Sequence, residues 1–224
     1  MTYIALIASV LTGMLIVFGL KPGKHSTGLL LSFSGAYLLS VTFLELIPKV
    51  YTTATNGIGG YILAGLLLQL VLDFFSKGAE HGHVHLQKES VLPWSLLISL
   101  CIHALMEGLP LSGEQAGHEH LLWAVVIHKI PVAIILGSFF VQSGFSKTTA
   151  VVFLSIFSLM SPLGSLAGEH LSILGDYSQE INAVVIGVFL HISTIILFES
   201  AKEHQFNGYK FLAILSGMLV ALLV

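Results

Sequence analysis

The sequence predicts an all-α polytopic membrane protein. Of its 224 residues, 55% are hydrophobic and only 9% are charged, and the mean hydropathy is +0.92. A helix needs about 20 apolar residues to cross the hydrocarbon core of a bilayer, and segments of this kind leave almost no chain for a soluble domain. We therefore expect one membrane domain over residues 1–224, surrounded by lipid and without a nucleic-acid partner.

Eight apolar segments separated by short polar gaps meet the length requirement. They are Tyr3–Leu20, Thr27–Ile47, Gly60–Phe75, Leu92–Leu111, Leu121–Val141, Thr148–Ala167, Ile181–Phe198 and Tyr209–Val224. No basic residue precedes the first segment and no small-residue cleavage site follows it, so we expect a retained span and not a signal peptide. The single cysteine, Cys101, excludes an intrachain disulfide.

The nine lysines predict the orientation, since the chain has no arginine. With eight spans, one side of the membrane receives Lys21, Lys24, Lys77, Lys88, Lys147, Lys202 and Lys210. The opposite side receives only Lys49, and Lys129 lies inside the fifth span. Because cytoplasmic loops are enriched in basic residues, both termini are expected on the extracytoplasmic side.

A histidine tract lies in the gap between the third and fourth spans, on the predicted cytoplasmic side. Residues 76–91 include His81, His83 and His85, alternating with Gly82 and Val84. Short His-rich tracts suit borderline divalent metals, because neutral imidazole is their commonest nitrogen ligand. We expect this loop to bind metal in the cytosol.

The fourth span carries two ionisable residues in an otherwise apolar segment, His103 and Glu107. Positions i and i+4 share one face of a helix, and Ser99 extends the same stripe by one turn. An ionisable group inside a bilayer costs at least about 2.5–3.5 kcal/mol, so such a stripe indicates a site or a pathway. A hydrogen-bonded pair that only holds helices together is the alternative.

The fifth span adds His128, Lys129 and Pro131. Because the gap from Ser112 to His120 is short, the fourth and fifth spans are expected to be antiparallel neighbours, which places His128 at the depth of the first two groups. Two imidazoles and a carboxylate suit Zn²⁺ better than Mg²⁺ or Ca²⁺, which prefer oxygen ligands. The residues thus predict a metal site, with Fe²⁺, Mn²⁺ and Cd²⁺ as further candidates.

Two prolines accompany these residues. Neither Pro110 nor Pro131 can donate to the carbonyl four residues earlier, so we expect both helices to be broken beside the site, with freed carbonyls available to an ion. Lys129 is too deep to reach either membrane surface, and the nearest partner for its ammonium is Glu107.

Taken together, these patterns resemble the ZIP family of divalent-metal transporters along the whole chain. The resemblance lies in the eight spans, the cytoplasmic histidine loop, the family's His-Asn-x-x-(Glu/Asp)-Gly motif on span four, matched here except at Ala104, and a His-x-x-Pro motif on span five. It extends to the stretch ending Leu44-Glu45-Leu46-Ile47-Pro48, to Ser161-Pro162-Leu163-Gly164 and to Gly187-Val188-Phe189-Leu190.

The chain also departs from the family pattern. Ala104, Lys129 and Val132 stand where many relatives build a second metal position, Ser161 replaces the acid of some members, and His191 replaces the usual Tyr. The pattern His-Ala-x-x-(acid)-Gly on span four and the pattern His-Lys-x-Pro on span five are similar to those of the Golgi-associated branch. The short loops would equally suit a bacterial inner-membrane or plasma-membrane protein.

The resemblance implies metal uptake into the cytosol by alternating access, with spans one to three and six to eight related as an inverted repeat around spans four and five. A block of spans one, four, five and six would slide against spans two, three, seven and eight. It implies no cofactor, since the metal is the substrate, and a homodimer is one assembly to consider. Transport-pathway residues would be Ser99, Glu45, Lys129, Ser161, His191 and Glu199.

The same residues are compatible with other classes of membrane protein to different degrees. An intramembrane zinc protease needs His-Glu-x-x-His, which the chain lacks, so no enzymatic activity is expected. A b-type haem protein could use His103, His128 and His191 as axial ligands. A membrane metal sensor or receptor would use the transporter's own residues, because binding alone needs no others.

Overall fold

The computed structural model describes residues 1–53, 57–76, 78, 93–112, 118–198 and 207–223. Within these ranges every regular element is helical. The helices are α1 (Thr2–Leu20), α2 (Lys24–Val41), α3 (Ile47–Thr53), α4 (Ile58–Ser76), α5 (Trp94–Gly108), α6 (His118–Gln142), α7 (Lys147–His170), α8 (Ser172–Asp176), α9 (Ser178–Phe198) and α10 (Gly208–Leu223). The all-α class predicted from composition is confirmed.

Seven helical segments of the described chain are long and apolar enough to cross a membrane: α1, α2 continued through α3, α4, α5, α6, α7 and α9. α10 has the composition of a span but only 16 described residues, about 24 Å of helix. It packs along α2. Leu15, Phe74 and Leu223 are 73%, 79% and 85% exposed, as side chains that face lipid should be. The chain is a multi-pass integral membrane protein.

The two ends of the bundle are named here after the lysine-based orientation. The outer end carries α3, α8 and the start of α6; the inner end carries the end of α4 and the start of α5. This orientation remains a prediction.

Glycines bring particular helices to backbone contact. A Cβ on Gly65 of α4 would lie 1.8 Å from the carbonyl oxygen of Val184 in α9, and one on Gly108 of α5 would lie 2.0 Å from that of Ser161 in α7. Small residues at such interfaces let membrane helices approach closely. Gly13 joins α1 to α6 in the same way.

These contacts divide the long helices into two groups. The first group is α1, α5, α6 and α7; the second group is α2, α4, α9 and α10. Gly217 joins α10 to α2 and Gly35 joins α2 to α9, so both contacts lie inside the second group. Each described glycine that closely contacts another helix does so within one group. Between the groups, α6 packs on α2 and α5 packs on α4.

The predicted helix breaks at Pro131 and Pro110 differ from what is observed. α6 continues through Pro131 without interruption, because the loss of one hydrogen bond is tolerated in a long, packed helix. At Pro110 the chain tightens into a 3-10 turn over Leu109–Leu111, and the N–H of Leu109 donates to the carbonyl of Met106. That carbonyl was expected to be free for an ion; the prediction is wrong.

Pro48 produces a distortion that the sequence analysis did not anticipate. A π-helical turn, Thr42–Leu46, joins α2 to α3, and the N–H of Ile47 donates to the carbonyl of Thr42 five residues earlier. The wider turn accommodates the missing donor of Pro48, and turns of this kind occur frequently at functional sites. Glu45 lies in this turn.

The fourth and fifth spans are neighbours, as predicted, and they meet through side chains of α5 and α6. Their closest backbone packing is with other helices: α5 packs against α7 and α4, and α6 packs against α1 and α2.

Candidate metal centre

His103, Glu107 and His128 come together in the middle of the bundle. The Nε2 atom of His103 lies 3.0 Å from Oε1 of Glu107, and Nε2 of His128 lies 3.9 Å from the same oxygen. The three side chains are at most 1% exposed. One potential ligand atom from each residue lies within 4.8 Å of the other two. The structure thus brings the three predicted ligands to one point.

Helix geometry explains why His103 and Glu107 meet. His103 and Glu107 are one turn apart on α5, so their side chains share a face. His128 approaches from α6, and the two imidazole rings stand edge to face with centroids 6.4 Å apart. The carboxylate of Glu107 lies between the two rings and links α5 to α6.

Lys129 lies beside the same carboxylate. Its Nζ atom donates to Oε2 of Glu107 at 3.1 Å, and the side chain is 1% exposed. The ammonium also lies 4.3 Å from the centroid of the Phe157 ring, a cation–π contact. The predicted pairing with Glu107 is confirmed. Glu107 therefore presents one oxygen to the lysine and the other to the imidazoles.

Gln69 of α4 was missed by the sequence analysis. Its Oε1 atom lies 3.2 Å from Nδ1 of His103, and the residue is fully buried. When Nδ1 carries the proton this contact is a hydrogen bond, and the lone pair of Nε2 then points toward Glu107. The signal was available: Gln69 is a polar residue within an apolar span, which is the criterion that identified His103.

Apolar layers close the site on both sides. Toward the outer end the buried residues include Leu121, Val125 and Phe189. Toward the inner end they include Leu100 and Phe140. Because the ligands are buried between these layers, an ion can enter or leave only if side chains or helices move.

The predicted pathway serines have different surroundings. Ser99 is buried one turn inward of His103. Ser161 donates a hydrogen bond of 2.6 Å to the carbonyl of Ala104, across the close contact of α7 with α5. The structure gives Ser161 a role in helix packing.

At the outer end, Glu45 contacts His120. The carboxylate belongs to the π-helical turn of the second group, and Nδ1 of His120 belongs to the first turn of α6 in the first group. Both side chains are partly exposed. Glu45 is thus a carboxylate near the surface that connects the two groups.

Toward the inner end, His191 of α9 faces Asp73 of α4. The Nε2 and Oδ2 atoms are 3.9 Å apart, and the two side chains are 8% and 21% exposed. Two further predicted sites lie outside the described residues: Glu199, and the histidine tract with His81, His83 and His85.

The geometry argues against haem between His103 and His128. Oε1 of Glu107 lies within 4 Å of Nε2 of both rings, so a porphyrin there would have to displace a buried carboxylate.

Comparisons with known proteins show which family the chain resembles. A family profile described as ZIP Zinc transporter matches residues 76–224, well over half of the chain. Protein zntD of Dictyostelium discoideum is 32% identical over 171 residues, covering 64% of this chain and 25% of that protein. Zinc transporter ZIP1 of Danio rerio is 28% identical over 141 residues, covering 59% and 45%. Zinc transporter ZIP2 of Homo sapiens is 33% identical over 126 residues, covering 50% and 40%.

The chain spans between a quarter and just under half of the length of these relatives. The profile match covers α5, α6, α7, α9 and α10, and therefore all three residues of the buried His-Glu-His group. By this match the chain belongs to the ZIP zinc transporter family, whose members are transporters and not enzymes.

Proposed function

We propose that the protein carries divalent transition-metal ions, with Zn²⁺ as the principal substrate, across a membrane into the cytosol. One ion at a time would bind to His103, Glu107 and His128. The observation that carries this proposal is the buried group itself, with three ligand atoms within 4.8 Å of one another. The alternative, a pair that merely joins helices, does not account for a second imidazole facing the same oxygen.

The donor set favours zinc. Two imidazole nitrogens and one carboxylate oxygen are ligands that Zn²⁺ commonly takes, whereas Mg²⁺ and Ca²⁺ prefer oxygen. Ligand atoms about 2.0–2.2 Å from a tetrahedral ion are about 3.3–3.6 Å from one another. The three ligand atoms lie within 4.8 Å of one another, so the site needs to contract by at most about 1.5 Å, which side-chain rotation can supply. Fe²⁺, Mn²⁺ and Cd²⁺ are expected competitors, and no cofactor is required.

A single ion per site follows from Lys129. The ammonium lies 3.1 Å from Glu107, where a second dication would otherwise share the carboxylate. It keeps Glu107 ionised in the absence of metal and repels a second dication.

Alternating access requires two bodies that move relative to each other, and the two helix groups are suitable. Several of their internal interfaces are close contacts at glycines, which resist sliding, and no described glycine makes such a contact between the groups. All three ligands belong to the first group. We propose that this group carries the ion past the second group.

The pairing of helices fits a 3+2+3 inverted repeat. The contact of α4 with α9 would be the counterpart of the contact of α10 with α2, and the contact of α1 with α6 would correspond to that of α7 with α5. Residues 1–224 would then form one transport domain.

The other predicted residues fit along this route. Glu45 would attract the ion at the outer end, Ser99 and His191 would follow on the inner side, and Glu199 would lie nearest the cytosol. The tract His81, His83 and His85 would collect the released metal. The proposed location is a plasma membrane, a bacterial inner membrane or a Golgi-type membrane. The proposed assembly is a homodimer.

Zinc flux into proteoliposomes loaded with a zinc-sensitive dye tests the proposal, with Mn²⁺, Fe²⁺ and Cd²⁺ as competitors. His103→Ala, Glu107→Ala and His128→Ala should each abolish saturable uptake, while Ser193→Ala, which removes a buried hydroxyl bonded within its own helix, should retain it. Uptake at the wild-type rate by Glu107→Ala would exclude this site. Zinc binding without flux would instead indicate a sensor or receptor.

A further inference from the structure

The contact between Gln69 and His103 joins the two helix groups. Gln69 belongs to α4 of the second group, whereas His103, one of the three candidate ligands, belongs to α5 of the first group. Oε1 of Gln69 lies 3.2 Å from Nδ1 of His103, and neither residue is more than 1% exposed. A metal ligand of the first group therefore contacts a polar side chain that the second group supplies.

The chemistry of zinc binding gives this contact its direction. Nε2 of His103 lies 3.0 Å from Oε1 of Glu107, so this nitrogen is the one turned toward the other ligands. A neutral imidazole that binds an ion through Nε2 carries its proton on Nδ1. The Nδ1–H group then donates to the amide oxygen of Gln69, which fixes both the tautomer and the orientation of the ring. Gln69 thus prepares His103 to bind an ion.

Each partner is anchored to its own group by a close contact nearby. A Cβ on Gly65, one turn before Gln69, would lie 1.8 Å from a carbonyl oxygen of α9. A Cβ on Gly164 of α7 would lie 2.1 Å from the carbonyl oxygen of Leu105, which is two residues after His103 in α5. Gln69 is therefore held to α9, and His103 is held to α7.

Movement of the first group past the second would break this hydrogen bond. Its length of 3.2 Å is at the long end of the usual range of about 2.7–3.2 Å, whereas sliding by one helical turn is a displacement of about 5.4 Å. Gln69 is fully buried, so its surroundings restrict the movement of its side chain. The hydrogen bond therefore belongs to the observed arrangement of the groups and not to one in which they have slid.

A hydrogen bond that only satisfies two buried polar groups is the competing explanation. Buried polar side chains are normally paired, and this contact meets that need. An acceptor on the first group would meet it in every arrangement, because it would move together with His103. An acceptor on the second group meets it in only one arrangement, so Gln69 has an effect on transport that a packing role lacks.

We propose that Gln69 makes the zinc affinity of the central site depend on the relative position of the two helix groups. In the observed arrangement its amide oxygen holds His103 with Nε2 directed at the ion, and the site binds zinc tightly. When the groups slide, His103 loses this acceptor and the site binds zinc more weakly. This inference rests on the proposed transport function and adds to it a positioning residue on the group that does not carry the ligands.

Zinc uptake measured with the two membrane sides controlled separately tests the proposal. Right-side-out membrane vesicles containing the full-length protein give the KM for external zinc, and zinc loaded into the vesicles gives the internal concentration that halves uptake. Loss of a partner of a metal ligand costs about 10–100-fold in affinity, so Gln69→Leu should raise one of these two constants at least about tenfold. The other constant should stay near its wild-type value, because the hydrogen bond is absent in that arrangement.

Two further substitutions at position 69 separate the reach of the side chain from its polarity. Gln69→Glu keeps an acceptor oxygen at the same reach and should return the raised constant to near its wild-type value. Gln69→Asn keeps the amide but shortens the side chain by one methylene, so it should behave as Gln69→Leu does. Ser193→Ala, which removes a buried hydroxyl bonded within its own helix, is the control and should change neither constant.

Equal shifts of both constants in Gln69→Leu would show that the hydrogen bond persists in every arrangement, and this result would overturn the proposal. A lowered melting temperature or maximal rate with both constants unchanged would identify a packing role and would also overturn it. Failure of the proposed function is distinguishable, because wild-type vesicles would then take up no more zinc than vesicles with Glu107→Ala.

Discussion

Lys129 Nζ and Glu107 Oε2 lie 3.1 Å apart in the middle of the bundle, where each side chain is 1% exposed. Neither charge could remain there alone, because an isolated ion in a medium of low dielectric constant is strongly unfavourable. The pair therefore ties α5 to α6 and fixes which oxygen of the carboxylate faces the two histidines. It explains how a site that binds a cation can also contain a lysine.

The first prediction concerns the energy of this pair. Glu107→Ala should lower the free energy of unfolding by about 3–5 kcal/mol, because it leaves a buried ammonium without its carboxylate. Adding Lys129→Met should recover much of that loss. Denaturant titration in detergent measures both variants; strictly additive losses would contradict the coupling.

The second prediction concerns metal stoichiometry. If the ammonium of Lys129 occupies the place of a second ion, Lys129→Asp combined with Ala104→Asn should raise the number of bound Zn²⁺ ions by one. Calorimetric titration of the purified protein provides the count, and Ala104→Asn alone is the control that should leave it unchanged. Equal stoichiometry in the double variant and the wild type would refute the idea.

The third prediction concerns Gln69. Gln69→Leu removes the acceptor at Nδ1 of His103. The imidazole then becomes less basic and is no longer held in one orientation, so the affinity for Zn²⁺ should fall about 10–100-fold. Gln69→Glu keeps an acceptor oxygen at the same reach and should restore most of it. Zinc titration compares the two; equal affinities of Gln69→Leu and the wild type would show that the contact is incidental.

Much of the fold and the ligand set could be predicted from the sequence, for identifiable reasons. The length of each apolar segment predicts a membrane span, and the helical repeat places His103 and Glu107 on one face of their helix. The short loop predicted that α5 and α6 are neighbours, but it could not predict which other helices pack most closely against each of them. Glycines decided that packing, and their partners are distant in sequence.

Local backbone consequences of proline were equally hard to predict. Three prolines gave three outcomes: a continuous helix at Pro131, a 3-10 turn at Pro110 and a π-helical turn before Pro48. Each proline lacks the same backbone N–H donor, and the surrounding helices determine whether the carbonyl that it leaves free accepts a hydrogen bond from another group.

The fourth prediction concerns the histidine tract. Because it lies between spans and outside the central site, replacing His81, His83 and His85 by Ser should leave the initial rate of zinc uptake within about twofold of wild type. Retention of zinc by the protein should fall, since three imidazoles are lost. Complete loss of initial uptake would place the tract in the translocation step.

The fifth prediction tests movement between the helix groups. Glu45 and His120 are in contact across the two groups at the outer end, whereas Tyr3 and Glu169 form a 2.8 Å hydrogen bond within the first group. Each pair can be replaced by two cysteines in a Cys101→Ser background. A short bifunctional methanethiosulfonate then links each pair with a reducible spacer.

If the first group slides past the second, the link between positions 45 and 120 should stop most zinc uptake, and reduction of the spacer should restore the rate measured before cross-linking. The link between positions 3 and 169 joins two helices that move together, so uptake should be nearly unaffected. Comparison of each variant with its own rate before cross-linking separates the effect of the link from that of the substitutions. Full uptake with positions 45 and 120 linked would exclude relative movement of the groups at this end as the transport step.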